Sequence, residues 1–202
     1  MDIQVNPYEI ARLARRLGQT TREFRATWTR DGLGTTLEQT ATGACVFLGR
    51  DGCRVHADRP LVCRLYPLGR HVDADGSERF SHIEPHPLSA GEYRDKGTIA
   101  DFVASQGAEP FLRAADAYFA WLCAAATKLG AGEDGNKTQR EGLVEQRSKV
   151  DGALKLLDMD ECIARHCRTN GLAEPDNIEE RMKLHLAILY EEIAASPQEP
   201  KP

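Results

Sequence analysis

Apolar positions recur at helical spacing toward both ends of the chain and crowd into short, turn-bounded runs in between. Ile10, Leu13, Ala14 and Leu17 share one helical face, while Arg12, Arg15 and Arg16 lie mostly on the other. Asn6 as N-cap, Pro7 at the first helical position and Glu9 completing a capping-box pattern announce that helix, and Gly18 closes it. Thr20 to Glu23 repeats the cap logic for a second helix containing Phe24 and Trp28. A helix is expected over 97–107 and a longer one over 109–129, with Phe111, Ala115, Tyr118, Phe119, Leu122, Ala126 and Leu129 on its packing face. Cys123 sits beside that face and reads as a small core hydrophobe.

Residues 130–142 hold no large apolar side chain, which predicts a flexible linker over 130–149. It separates a C-terminal helical pair, about 150–168 and 176–195, from a domain spanning 1–129; residues 196–202 read as a disordered tail. His185, beside Met182, Leu186 and Leu189, reads as a core-edge histidine.

The middle of the chain is patterned differently. Residues 35–42 suggest one strand. Cys45 to Leu48 is short, apolar and β-prone, Gly49 to Gly52 is a turn signal, and Cys53 to Val55 returns as a second strand. Asp58 is expected to cap a short helix that tolerates Pro60, carries Cys63 and stops before Pro67. Two more short strands are expected around Asp75-Gly76. Together these elements predict an α+β chain, mainly helical, with a small antiparallel hairpin and loop region that carries the cysteines.

Composition narrows the chemistry. With 202 residues, 41% hydrophobic and 28% charged, the chain is long enough for a proper core. Its longest apolar run, 119–126, is far below the ~20 residues a membrane span requires, so a cytoplasmic protein is expected, with its six cysteines free or metal-bound rather than paired. The net charge of -5 hides a basic front: residues 1–70 carry 11 Lys and Arg against 7 Asp and Glu. That excess is small, lacks interleaved aromatic residues and accompanies no nucleic-acid motif, so neither nucleic acid nor membrane is expected as a partner. No glycine-rich cofactor loop, nucleophile elbow or HExxH motif is present.

Chemistry concentrates in Cys45 to Pro67, where three thiols are spaced C-x7-C-x9-C. A regular hairpin would set Cys45 roughly 13 Å along the strand from the residue facing Cys53, at ~3.3 Å per residue, too far for two ligands of one metal. Either the segment is an irregular loop wrapped around a site, or one of the two cysteines is not a ligand. Arg54, Arg59 and Arg64 could offset thiolate charge as neighbouring donors. His56, His71, His82 and His86 could each add an imidazole, although solvated or packed histidines are the commoner case. A rival site is Cys162 and His166, four apart on one helix, with Cys167 adjacent.

The pattern CxFLxxxGCxVxxxRPLxCRxYPL resembles the second half of the signature of the YkgJ-type cysteine-cluster family, described as chelating zinc or iron. The resemblance extends through NPYEIARLARRLGQTTREF before it and EPHPLSAGEYRDKGTIADFVASQG after it. It implies Cys45, Cys53 and Cys63 as metal ligands, framed by Arg59, Pro60, Arg64 and Pro67, and zinc or iron as the cofactor, a 4Fe-4S cluster among the forms. The family's other half, a CxxxCC-like cluster before the first helix, has no counterpart here, since no cysteine precedes Cys45. Met1 is therefore expected to be internal to a longer reading frame. Three readings follow: a metal- or cluster-binding protein, a cluster-dependent enzyme similar to flagellin lysine N-methylases, and a helical interaction module that has lost its site. No catalytic residue is assigned.

Overall fold

The computed structural model describes residues 2–30, 35–73, 76–85, 97–128 and 156–195. Helix α1, Pro7–Leu17, is the element on which both halves pack. Its capping box forms as expected, with the Asn6 side chain accepting from the Glu9 N–H, the Glu9 side chain accepting from the Asn6 N–H, and Gly18 closing the helix in the left-handed conformation. Ile10, Leu13 and Ala14 face one core with Phe24, Leu37, Phe47 and Val55. Tyr8 and Ala11 face a second core made with Phe111, Ala114, Tyr118 and Trp121 and with Met159, Ile163, Met182 and Leu189. Burying two faces of an eleven-residue helix makes α1 the shared wall of the molecule.

Helix α2, Thr21–Trp28, repeats the capping box through Thr20 and Glu23. The chain then makes isolated antiparallel bridges, Thr36 to Gln4, Leu37 to Thr29 and Gln39 to Cys45. The strand expected over 35–42 is thus a series of single bridges. β1, Leu48–Gly49, and β2, Gly52–Cys53, form a minimal antiparallel pair. A single 3-10 turn, His56–Asp58, leads to α3, Leu61–Leu65, followed by the cis Tyr66-Pro67 bond. β3, Leu68–Val72, pairs antiparallel with β4, Glu78–His82, in the register Arg70 to Phe80. Arg70 holds this hairpin by ion pairs to Glu78 and, on the next long helix, to Asp116.

Four further helices stand among the described residues: α4, Ile99–Ser105, α5, Glu109–Lys128, α6, Met159–Asn170, and α7, Ile178–Ala195. The α+β, mainly helical architecture expected from the sequence is what the structure has. Thr21 Oγ1 donates to Asp158 Oδ1 at 2.6 Å, and Asp160 accepts from the Thr21 N–H and from Arg181, tying α2, α6 and α7 together.

The face expected for α5 is corrected. Phe111, Ala114, Tyr118 and Trp121 point inward, whereas Phe119 and Leu122 are about half exposed, at 49% and 50%, and Cys123 and Ala126 are also exposed. This helix is apolar around most of its circumference, so its spacing offers two stripes; Trp121, missing from the expected set, sits in the chosen one and donates to the Leu189 carbonyl at 3.1 Å. Cys123 is consequently a surface thiol and not a core residue. The expected linker 130–149, the start of the C-terminal pair at 150–155, the tail 196–202, Leu129 and His86 lie outside the described residues. No helix among the described residues is long and apolar enough to cross a membrane.

Candidate metal centre

Cys45, Cys53 and Cys63 come from three different local structures, a turn, a strand and a helix. Cys45 opens a turn closed by the Leu48 N–H donating to the Cys45 carbonyl at 3.0 Å, so β1 begins only at Leu48 and Cys45 is not collinear with it. Cys53 lies opposite Leu48 at the end of the two-residue pair. Between these two thiols the chain runs through a turn into the minimal β1–β2 pair. The Phe47 N–H points at Cys45 Sγ, 3.4 Å away, an arrangement that stabilises sulfur as it gains negative charge. Phe47 anchors the turn by packing on Phe24 and Trp28, with ring centroids 6.1 and 5.2 Å apart.

Cys63 sits on α3, whose position is set from outside its own sequence. Asp58, the expected cap, is instead held by Arg12, which donates Nε and Nη2 to Asp58 Oδ1 at 3.0 and 2.8 Å. The residue preceding α3 is Pro60, which offers no side-chain acceptor. The capping oxygen comes from Glu9, whose Oε1 accepts the Leu61 N–H at 2.7 Å while Oε2 accepts the Asn6 N–H at 2.9 Å. One carboxylate thus serves the starts of two helices. It is 3% exposed; burial pushes its carboxyl above the usual range, and the two N–H donors and the Arg64 charge pull the other way. Local pattern reading finds Glu9 only as the capping-box member of α1, because its second partner lies 52 residues away.

Arg64 is also structural. Its Nε donates to the Arg59 carbonyl at 3.0 Å, Nη1 to the Gln106 carbonyl at 2.7 Å and Nη2 to the Ala57 carbonyl at 2.6 Å, and its guanidinium stands 3.9 Å over the Phe111 ring. Arg59 reaches the His56 carbonyl at 2.9 Å and Gln106 Oε1 at 2.6 Å, and Arg54 reaches the Val46 carbonyl at 2.9 Å. Among the described hydrogen bonds, none of these three arginines donates to a cysteine sulfur of the stretch; they pin the backbone that carries the thiols. Arg59 does act on Cys63 through its charge.

Electrostatics relate the three thiols to one another. Burial, first, and then the neighbouring Cys45 and Cys53 push the Cys63 thiol up to about 12. All three are half-buried free thiols. Among the described residues no group of three or more His, Cys, Asp or Glu side chains is arranged to hold a metal ion, so the three are neighbours without forming a closed ligand set. The donor chemistry suits zinc or iron, and the number falls one short of the usual four. His56 is exposed with Nδ1 against Arg59, and His71 Nε2 stands 2.8 Å from Ser81 Oγ.

Cys162 and His166, the rival pair, line one surface pocket along α6. Cys162 is buried and donates its thiol to the Leu156 carbonyl at 3.4 Å, with burial raising it to about 11. Cys167 is buried against the Ala173 carbonyl. These two pack as core thiols on α6.

Residues 1–85 match the family described as CxxCxxCC: Putative zinc- or iron-chelating domain. The matched segment contains all three cysteines of the C-x7-C-x9-C stretch together with α1, α2 and α3. No curated protein and no solved structure matches the chain.

Proposed function

We propose that this chain is a metal-binding protein in which Cys45, Cys53 and Cys63 hold zinc or iron as thiolates. The observation that carries the reading is that Cys45, in a turn, and Cys53, in a strand, stand near enough to act on Cys63, on a helix, inside the segment that matches a zinc- or iron-chelating domain. A bound cation offsets the cost of ionising a thiol that burial raises to about 12, because the metal itself supplies the positive charge. Cys45 and Cys53 are half-buried, and α3 holds Cys63 in place through Glu9 and Arg64. Three thiolates leave a tetrahedral ion with one open position, and a cluster would need a fourth ligand.

The experiment is zinc, iron and acid-labile sulfide per chain on protein purified without oxygen, for the wild type and for Cys45→Ser, Cys53→Ser and Cys63→Ser. The expected result is metal in the wild type and its loss in each variant with the helical circular dichroism retained. Iron with matching sulfide identifies a cluster, and zinc alone a mononuclear site. Metal-free wild type, or metal that survives all three substitutions, overturns the reading and leaves the interaction module in front.

A further inference from the structure

A second set of charged side chains gathers around Asp58. Arg12, Arg15 and Arg16 of α1, Asp58 and Ile178 at the first turn of α7 line a cleft of about 380 Å³. Arg12 is spent inside the fold: it holds Asp58, donates to Tyr8 Oη at 3.1 Å and stands 5.0 Å over Phe111. Arg15 donates Nη2 to the Asp176 backbone carbonyl at 2.7 Å and has no carboxylate partner among the described residues. Arg16 is exposed and makes no hydrogen bond or ion pair with any described residue. Of the nearby acids, Asp58 is taken by Arg12, Asp176 offers its backbone oxygen, and Glu179 is engaged by Tyr8 Oη at 2.5 Å and by Arg113 at 3.8 Å. Three guanidinium groups against one lining carboxylate leave two uncompensated positive charges on a concave surface.

Guanidinium groups at the last turn of a helix also offset its dipole, and on a flat, solvated face that would be their whole role. Here they line a cleft that also takes Ile178 from another helix, and one of them is fixed in place by an ion pair and two rings. We propose that this cleft binds a small ligand carrying phosphate or carboxylate groups, its oxyanion gripped by Arg15 and Arg16 and its apolar part resting on Ile178. The planar donor fork of arginine matches both oxyanions with paired hydrogen bonds, and Arg12 presents a preorganised positive wall without having to move. No cysteine lines this site.

The test is calorimetric titration of pyrophosphate and of citrate at about 150 mM salt, the ionic strength at which unpaired surface charges are largely screened. It is run on the wild type, Arg16→Ala and the Arg15→Ala, Arg16→Ala double variant, with thermal melts to confirm an unchanged fold. Saturable one-to-one binding of either ligand, weakened about tenfold by Arg16→Ala and lost in the double variant, is expected. Preference for pyrophosphate identifies a phosphate ligand and preference for citrate a carboxylate one. Absence of saturable binding of both, or binding that the double variant retains, overturns the proposal.

Discussion

Glu9 Oε1 accepts the backbone N–H of Leu61 at 2.7 Å, so a residue that caps α1 also caps α3, the helix that presents Cys63. Removing this carboxylate leaves two part-buried N–H groups without their acceptor. Glu9→Ala is expected to destabilise the fold by about 2–4 kcal/mol, the sum of a lost cap and an unmet part-buried donor. Glu9→Gln, which keeps one acceptor oxygen, should lose less. Urea denaturation of the three proteins checks the ranking, and equal midpoints would remove the double-capping role.

Arg64 fills three backbone carbonyls and stacks on Phe111 at once. Arg64→Lys retains the charge but has no planar fork, so it should destabilise the protein nearly as much as Arg64→Ala, by about 2–4 kcal/mol. A lysine variant that melts with the wild type would show that charge alone suffices.

His185 is fully buried between α5, α7 and the chain entering α6, with Nε2 donating to the Leu156 carbonyl at 2.8 Å and Nδ1 accepting from Tyr118 Oη at 2.9 Å. Both ring positions are satisfied by the neutral imidazole with its proton on Nε2, and burial lowers its pKa to about 4. The unfolded chain protonates near 6.5 and the folded one does not, so stability is complete above that value and falls as pH drops toward 4. The loss at pH 4.5 relative to pH 8 is about 2–3 kcal/mol from this group. Denaturation at several pH values should show a slope in this window that flattens in His185→Gln; an unchanged slope would assign the acid sensitivity elsewhere.

The six cysteines should differ sharply in reactivity. Cys123 is exposed on α5, whereas Cys162 is buried, hydrogen-bonded to the Leu156 carbonyl and raised to about 11. Since the thiolate is the nucleophile, maleimide at pH 7 should modify Cys123 at least a hundredfold faster than Cys162. Mass spectrometry of timed digests reads this directly, and equal rates would contradict the burial of α6.

Arg59 carries the positive charge that acts on Cys63 while its side chain bonds to His56 and Gln106. Arg59→Ala is expected to lower metal content per chain with the fold intact, measured by elemental analysis alongside circular dichroism. Unchanged metal content would limit Arg59 to bracing the loop.

The sequence by itself determined the elements whose causes lie within a few residues. The caps at Asn6 and Thr20, the turn at Gly52, the hairpin around Gly76 and the stop before Pro67 are each satisfied by groups no more than four positions apart, so the helices, the short strands and the cysteine stretch were legible as an α+β chain. What lay outside that range was decided by the tertiary structure. Which stripe of α5 is buried depends on where α1 and α7 stand, because both stripes are apolar; Trp121 goes in and Phe119 stays out. Asp58 yields its capping role to Glu9 because Arg12, on another helix, claims its carboxylate. The turn at Cys45 is backed by Phe47 packing against Phe24 and Trp28, which are distant in sequence. Spacing along a chain fixes what a residue can reach locally; which of two equivalent faces or partners it takes is settled only when distant surfaces compete for it.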